Sequence, residues 1–187
     1  ITGNTTLANT LSDGGLGGGI DTLIGGSAND TYTVSVTGAV ITEASGGGTD
    51  LVNSSVSYTL GSNIENLTLT GASVLTGTGN TLDNVITGNA AASTLVGGDG
   101  NDTYVISNSS SVITETSTGG TDLVQSSVAY TLAANVENLT LTGTAVSGTG
   151  NTLANIITGN TTLANTLSDG GLGGGIDTLI GGSANDT

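Results

Sequence analysis

A nine-residue beat constrains this chain more than any other feature. Leu23, Tyr32, Ile41, Leu51, Leu60 and Leu69 are spaced 9, 9, 10, 9 and 9 residues apart. Ile86, Leu95, Tyr104, Ile113, Leu123, Leu132 and Leu141 follow at 9, 9, 9, 10, 9 and 9. A helix would bring apolar residues back at three- and four-residue steps, whereas nine residues suit one short strand and one turn. Thr, Val, Ile and Tyr occupy the strand positions, as a pleated backbone favours. Gly, Asn, Ser and Asp occupy the turns, where positive φ and local side-chain hydrogen bonds are needed. One such unit alone would expose an apolar face and two unpaired edges. Stacked in parallel, each unit pairs with the coil above and the coil below. The expected fold is therefore all-β: a parallel β-solenoid (β-roll or β-helix) with short strands and Gly/Asn/Asp turns. The chain contains no proline, which fits a stack in which nearly every N–H is needed by a neighbouring coil. Two units per coil would give about ten coils. The beat stretches at Gly17-Gly18-Gly19, between Leu69 and Ile86, and between Leu141 and Ile157. Widened turns or irregular rungs are expected there.

Longer repeats overlie the beat. Residues 1–31 are identical to residues 157–187, a period of 156. Within that period, residues 25–74 align without gaps on residues 97–146, with 33 identities in 50 positions. Such periodicity marks repeat architecture. We read the chain as one continuous solenoid segment, 1–187, with internal repeats 1–85, 86–156 and 157–187. The identical outer copies and the absence of a starting Met suggest a window from a longer tandem array.

Composition narrows the function. The 187 residues include no Lys, Arg, His, Cys, Met, Phe or Trp, and the formal charge is −15. A core must come from Leu, Ile, Val, Ala and Tyr, which suits a thin solenoid ladder better than a large globular core. Only 8% of residues are charged and mean hydropathy is +0.20, unlike a disordered chain. With no basic residue, nothing meets the phosphates of nucleic acid or an anionic membrane. No apolar run reaches the length of a membrane span. Metal sites built on His or Cys are excluded, and an oxygen-only donor set suits calcium. General acid–base and nucleophilic chemistry lack their usual side chains, so the chain reads as a non-enzyme. Glu43, Glu65, Glu115 and Glu137 are the carboxylates that could act in pairs on a glycoside. They occupy repeat-equivalent positions, however, which points to a structural use. Glu65 and Glu137 read as turn acids accepting backbone N–H groups. Asn84, Asn89, Asn155 and Asn160 read as turn-closing amides. The Thr-x-Thr pairs read as ordinary strand threonines, and no flat repeated face for ice or polysaccharide is evident from spacing alone.

The stretch Gly97-Gly98-Asp99-Gly100-Asn101-Asp102-Thr103-Tyr104-Val105 fits the nonapeptide G-G-x-G-x-D-x-(large apolar)-x at every position. A weaker copy runs from Gly25 to Thr33, and a glycine-expanded one from Gly14 to Ile24, recurring from Gly170 to Ile180. This nonapeptide resembles the RTX, or haemolysin-type calcium-binding, repeat family. The resemblance implies a parallel β-roll in which motif aspartates and turn carbonyls hold calcium between neighbouring turns. Carried over, the side-chain ligands would be Asp102, Asp30, Asp21, Asp177 and Asp186, with Asp99 and Asn84 beside them. Carbonyls would come from Gly97, Gly98, Gly100, Gly25 and Gly26. The pattern departs from a full ladder: eighteen residues before Asp102 stands Asn84, and Asp21 and Asp30 are nine apart, which places them on opposite sides. Isolated calcium sites are therefore expected. The resemblance further implies a bacterial extracellular or cell-surface setting. There the segment would be a structural repeat of a calcium-stabilised rod, filament, surface layer or giant adhesin. It would associate with copies of itself end to end or side by side. The alternative is a calcium-triggered secretion and folding module attached to an enzyme, toxin or adhesin.

Overall fold

The computed structural model describes residues 1–14, 20–171 and 175–187. The Gly17-Gly18-Gly19 stretch, where a widened turn is expected, lies outside the described residues. Among the described residues all regular structure is β. The strands are β1 (Thr10–Ser12), β2 (Thr22–Ile24), β3 (Thr31–Val34), β4 (Val40–Thr42), β5 (Leu51–Ser54), β6 (Tyr58–Thr59) and β7 (Asn66–Leu69). Next come β8 (Thr76–Thr78), β9 (Val85–Thr87), β10 (Thr94–Val96), β11 (Thr103–Ile106), β12 (Val112–Thr114) and β13 (Leu123–Ser126). The last are β14 (Tyr130–Thr131), β15 (Asn138–Leu141), β16 (Ser147–Thr149), β17 (Ile156–Thr158), β18 (Thr166–Ser168) and β19 (Thr178–Ile180). All pairings between them are parallel, so the chain is a β-solenoid of about nine turns with two strands per turn.

The odd-numbered strands form one unbroken ten-stranded sheet. Its register stacks Leu11, Tyr32, Val52, Leu67, Ile86, Tyr104, Val124, Leu139, Ile157 and Leu179 in one column. All but the last are buried. Burial of each such side chain contributes roughly 1.5–3 kcal/mol. The even-numbered strands lie opposite in three shorter sheets: β2-β4, β6-β8-β10-β12 and β14-β16-β18. At the two breaks a tyrosine spans the gap. The Tyr130 hydroxyl donates to Ser111 O at 3.4 Å, whereas the Tyr58 hydroxyl oxygen accepts from the Ile41 backbone N–H.

Coil length varies, and this changes which residues point inward. The expected beat places Leu51 and Leu123 in the core. The structure instead turns Val52 and Val124 inward and leaves both leucines half-buried. Tyr32 to Val52 and Tyr104 to Val124 are coils of 20 residues. Strand side chains alternate sides, so a shift of one residue exchanges the inner and outer sets. The next coils, Val52 to Leu67 and Val124 to Leu139, contract to 15 residues. The missing rung between Leu69 and Ile86 is strand β8, whose inward position is Gly77. A Cβ there would stand 3.0 Å from Leu67 Cδ2, 3.3 Å from Leu69 Cδ1 and 3.4 Å from Ile86 Cγ2. Gly148 plays the same part against Leu139, Ile157 and Leu141. Two inward leucines from one side therefore fill the space that the opposite side leaves empty.

Residues 10–12 and 166–168 have the same sequence, yet β1 belongs to the ten-stranded sheet and β18 lies on the other side. Likewise, β2 and β19 share a sequence and lie on opposite sides.

Candidate metal centre

An acid or an amide precedes every strand of the long sheet: Asn9, Asp30, Asp50, Glu65, Asn84, Asp102, Asp122, Glu137, Asn155 and Asp177. The backbone explains this choice. Each of them up to Asn155 accepts, through its own carbonyl, the first N–H of the next strand, as in Leu123 N to Asp102 O at 2.8 Å and Thr103 N to Asn84 O at 2.8 Å. Its own N–H then lies beyond the strand ladder and needs an acceptor. At Asn9, Asp30, Asp50, Asn84, Asp102, Asp122 and Asn155 the side chain one coil above supplies it. Asn84 N donates to Asp102 Oδ1 at 2.7 Å, Asp102 N to Asp122 Oδ1 at 2.8 Å, and Asp122 N to Glu137 Oε2 at 2.8 Å. The earlier repeat matches: Asn9 N to Asp30 Oδ1 at 2.5 Å, Asp30 N to Asp50 Oδ1 at 2.7 Å and Asp50 N to Glu65 Oε2 at 2.8 Å. Glu65 and Glu137 are thus the N–H acceptors expected from sequence.

The amides work in the other direction. Asn84 Nδ2 donates to Ile64 O and Glu65 O, both at 3.2 Å, while its Oδ1 accepts Asn80 N at 2.7 Å. Asn155 repeats this on Val136 O and Glu137 O at 3.1 and 3.2 Å. Asn89 donates to Thr70 O and Ser73 O, and Asn160 to Gly143 O. All four close turns as expected.

This edge ladder brings carboxylates together inside the solenoid. Among the described residues two groups could hold an ion: Asp30, Glu43 and Asp50, and Asp102, Glu115 and Asp122. In each group one carboxylate oxygen per residue lies within 4.8 Å of the others, and all six residues are buried. Glu43 and Glu115 follow β4 and β12, on the side opposite the aspartates, and reach inward across the coil. Tyr32 and Tyr104, fully buried in the long-sheet column, donate their hydroxyls to Glu43 Oε1 and Glu115 Oε1. Gly25 and Gly97 make room for this. A Cβ on Gly97 would fall onto Asp102 Oδ2, Tyr104 Oη and Glu115 Oε1, and a Cβ on Gly25 onto the equivalent three atoms.

The groups differ in one respect. In the first, Asp30 Oδ2 accepts Gly26 N at 2.9 Å. In the second, Gly98 sits at φ +121°, and Asp102 Oδ2 has no partner. Asp50 Oδ2 and Asp122 Oδ2 are likewise buried without partners. Burial is the main cause that raises Asp50, Asp122, Glu43 and Glu115 above the usual carboxylate range. Asp102 is raised to about 7: burial dominates, the Asn84 N–H opposes it, and Glu115 and Asp122 add to it. Burial, together with the glutamate beside each phenol, also pushes Tyr32 and Tyr104 well above the ordinary phenol value.

The other residues named from the resemblance are dispersed. Asp21 precedes β2 on the far side from Asp30, while Asp177 precedes β19 on the long sheet and accepts Asn155 N at 2.7 Å. Asp186 accepts the Asn165 side chain and backbone and Gly182 N, and the Asn165 bonds hold it below the usual range. Asp99 is exposed. Gly98 and Gly100 stack against the carbonyls of Asn80 and Leu82, and Gly119 and Gly120 close on them from the next coil. Asn84 touches the second group only through its N–H to Asp102. Asp50 and Asp122, and the convergence of Glu43 and Glu115 on the aspartates, escape sequence reasoning. One signal was present: D-L-V repeats the placement of D-T-Y, with an acid directly before a long-sheet strand.

As donors, the groups offer hard oxygens only, two of them without partners around Asp102 and Asp122, which fits a hard cation. Among the described residues no helix is long and apolar enough to cross a membrane. Comparison with protein-family models, curated proteins and solved structures finds no match.

Proposed function

We propose that this chain is a non-enzymatic structural segment of an extracellular, RTX-like rod, filament, surface layer or giant adhesin, stabilised by calcium. The observation that carries this reading is the unbroken ten-stranded parallel sheet, whose pairing runs from one end of the segment to the other. A stack of this kind is stiff along its axis, because every coil is hydrogen-bonded to the next. Nine steps of about 4.8 Å give ~43 Å of rod. The broad faces suit lateral association. All acids lie outside the strands, so the outward strand residues are Thr, Ser, Asn, Gln and aliphatics. Charge would otherwise keep such rods apart, with −15 and no compensating cation in the chain. Oriented, calcium-equilibrated protein should give a meridional fibre reflection at about 4.8 Å, and electron microscopy should show bundled filaments. Failure to form any ordered assembly at high concentration, with or without calcium, refutes the rod reading.

The buried carboxylates favour a second reading, a module whose folding is triggered by calcium. A chain that lacks β structure in chelator at neutral pH and gains it on adding calcium supports the module. A chain already folded in chelator supports the rod.

A further inference from the structure

We propose that Asp102, Glu115 and Asp122, together with the Tyr104 hydroxyl, form an interior site for one hard divalent cation of the calcium kind, trapped between two successive coils. This is not the arrangement that the resemblance implies. There the ligands are turn carbonyls and aspartates of neighbouring turns on one side. Here they come from both sides of the coil and point into the core.

Three observations carry the proposal. Carboxylate oxygens from all three residues converge within 4.8 Å. Asp102 and Asp122 are 1% and 0% exposed, and each keeps an Oδ2 with no hydrogen-bond partner. The chain has no Lys, Arg or His, so no side chain supplies a positive charge to these buried acids. A buried polar atom without a partner costs about 1–3 kcal/mol, and clustered buried carboxylates need either protons or a metal. Between these, the oxygen-only set favours the ion. At most seven oxygens are at hand, two per carboxylate and the phenol, and Asp102 Oδ1, Asp122 Oδ1 and both Glu115 oxygens also accept hydrogen bonds, so the flexible coordination of calcium, roughly 6–8 oxygens, suits the set. Magnesium demands a stricter octahedron and keeps its waters, which suits this irregular, buried set less well. Asp30, Glu43 and Asp50 form a weaker copy. There Gly26 N already occupies one aspartate oxygen, and only Asp50 Oδ2 is without a partner.

Burial has a kinetic consequence. The ion enters as the coils close and leaves only when they open, so exchange is slow. It also links the coil of β11 to the coil of β13, because Asp102 and Asp122 belong to successive rungs.

The experiment uses the full 187-residue chain, stripped with chelator and titrated with calcium by calorimetry and with terbium by luminescence excited through tyrosine. Tyr104 lies at the site, so bound terbium should emit and calcium should quench that emission. D122N keeps the Oδ1 that accepts Asp102 N and removes the charge. It should weaken calcium binding about tenfold or more. Y104F should cut terbium emission while leaving the fold intact, which keeps the test valid if D122N fails to fold. D169N, at an exposed acid that does not act on Asp102, Glu115 or Asp122, should change neither readout. Calcium binding unchanged in D122N and Y104F-independent emission would overturn the proposal. So would a chain whose stability responds to pH but not to millimolar calcium, since protons alone would then satisfy the cluster. The site does not depend on the rod reading: its loss leaves filament formation to be judged separately, and failure to form filaments leaves the titration standing.

Discussion

Asn84→Asp separates two ways of reading the same position. By the eighteen-residue spacing of the motif, aspartate at 84 would complete a same-side pair with Asp102 and strengthen calcium binding. The hydrogen bonds give the opposite result. Asn84 is 1% exposed and its Nδ2 donates to Ile64 O and Glu65 O at 3.2 Å. N84D loses two donations worth about 1 kcal/mol each and sets a carboxylate against two carbonyl oxygens, adding about 2–3 kcal/mol for a buried unsatisfied acceptor. The expected loss is therefore about 4–5 kcal/mol at pH 7. N84A, which removes both donations and the Oδ1 that accepts Asn80 N but adds no charge, should lose less, about 3 kcal/mol. As pH falls toward 4 the new carboxyl takes up a proton and can donate one bond, so the deficit of N84D should shrink progressively while that of N84A stays constant. Urea unfolding followed by far-UV circular dichroism, at both pH values and with and without calcium, reads all of this. N84D as stable as the parent, or more stable in calcium only, would refute the hydrogen-bond reasoning.

In chelator, stability should fall as pH rises from about 4 to about 7. Asp102 keeps its proton up to about 7 when folded and releases it near 3.8 when unfolded. The folded state therefore binds more protons in that window, and the ceiling is about 4 kcal/mol; a flat thermal midpoint across this range would count against it. Gly77→Val should cost about 1–3 kcal/mol by overpacking Leu67, Leu69 and Ile86, measurable as a shift in urea midpoint, and a neutral result would mean that the contracted coil has spare room. Val124→Ala should destabilise more than Leu123→Ala, since Val124 is fully buried and Leu123 half-buried; the reverse order in thermal melts would restore the uniform nine-residue beat. Amide exchange should be slowest along the ten-stranded sheet and faster beside the β4–β6 and β12–β14 breaks, where the ladder is interrupted.

Much of the fold is legible in the sequence because each strand announces itself: T-Y-T-V, V-I-T and N-L-T-L are rich in Thr, Val, Ile, Tyr and Leu, and an Asp, Asn or Glu stands directly beside each. The exceptions have physical causes. Apolar counting cannot see a rung whose inward residue is Gly77 or Gly148, since absence of a side chain is that rung's contribution. It also assumes a constant coil, so the 20-residue coils move the core position from Leu51 to Val52 without changing the spacing of leucines. At the carboxylate cluster, the motif draws attention to Asp102 and Asp30 but not to their partners. Asp122 lies 20 residues on rather than 18, and Glu115 arrives from across the coil, so linear spacing relates neither to Asp102. The asparagines were easier to place. Their amides serve nearby carbonyls, a local task that their repeated position discloses.

The face exchange between β1 and β18 sets a rule for any chain assembled from these 156-residue units. From Leu11 to its twin Leu167 the backbone completes eight and a half revolutions. A mark carried once per unit would therefore face left, then right, then left along the axis. The crystallographic period of such a fibre would be two units rather than one, and a partner recognising that mark would decorate both edges in a staggered, zigzag row.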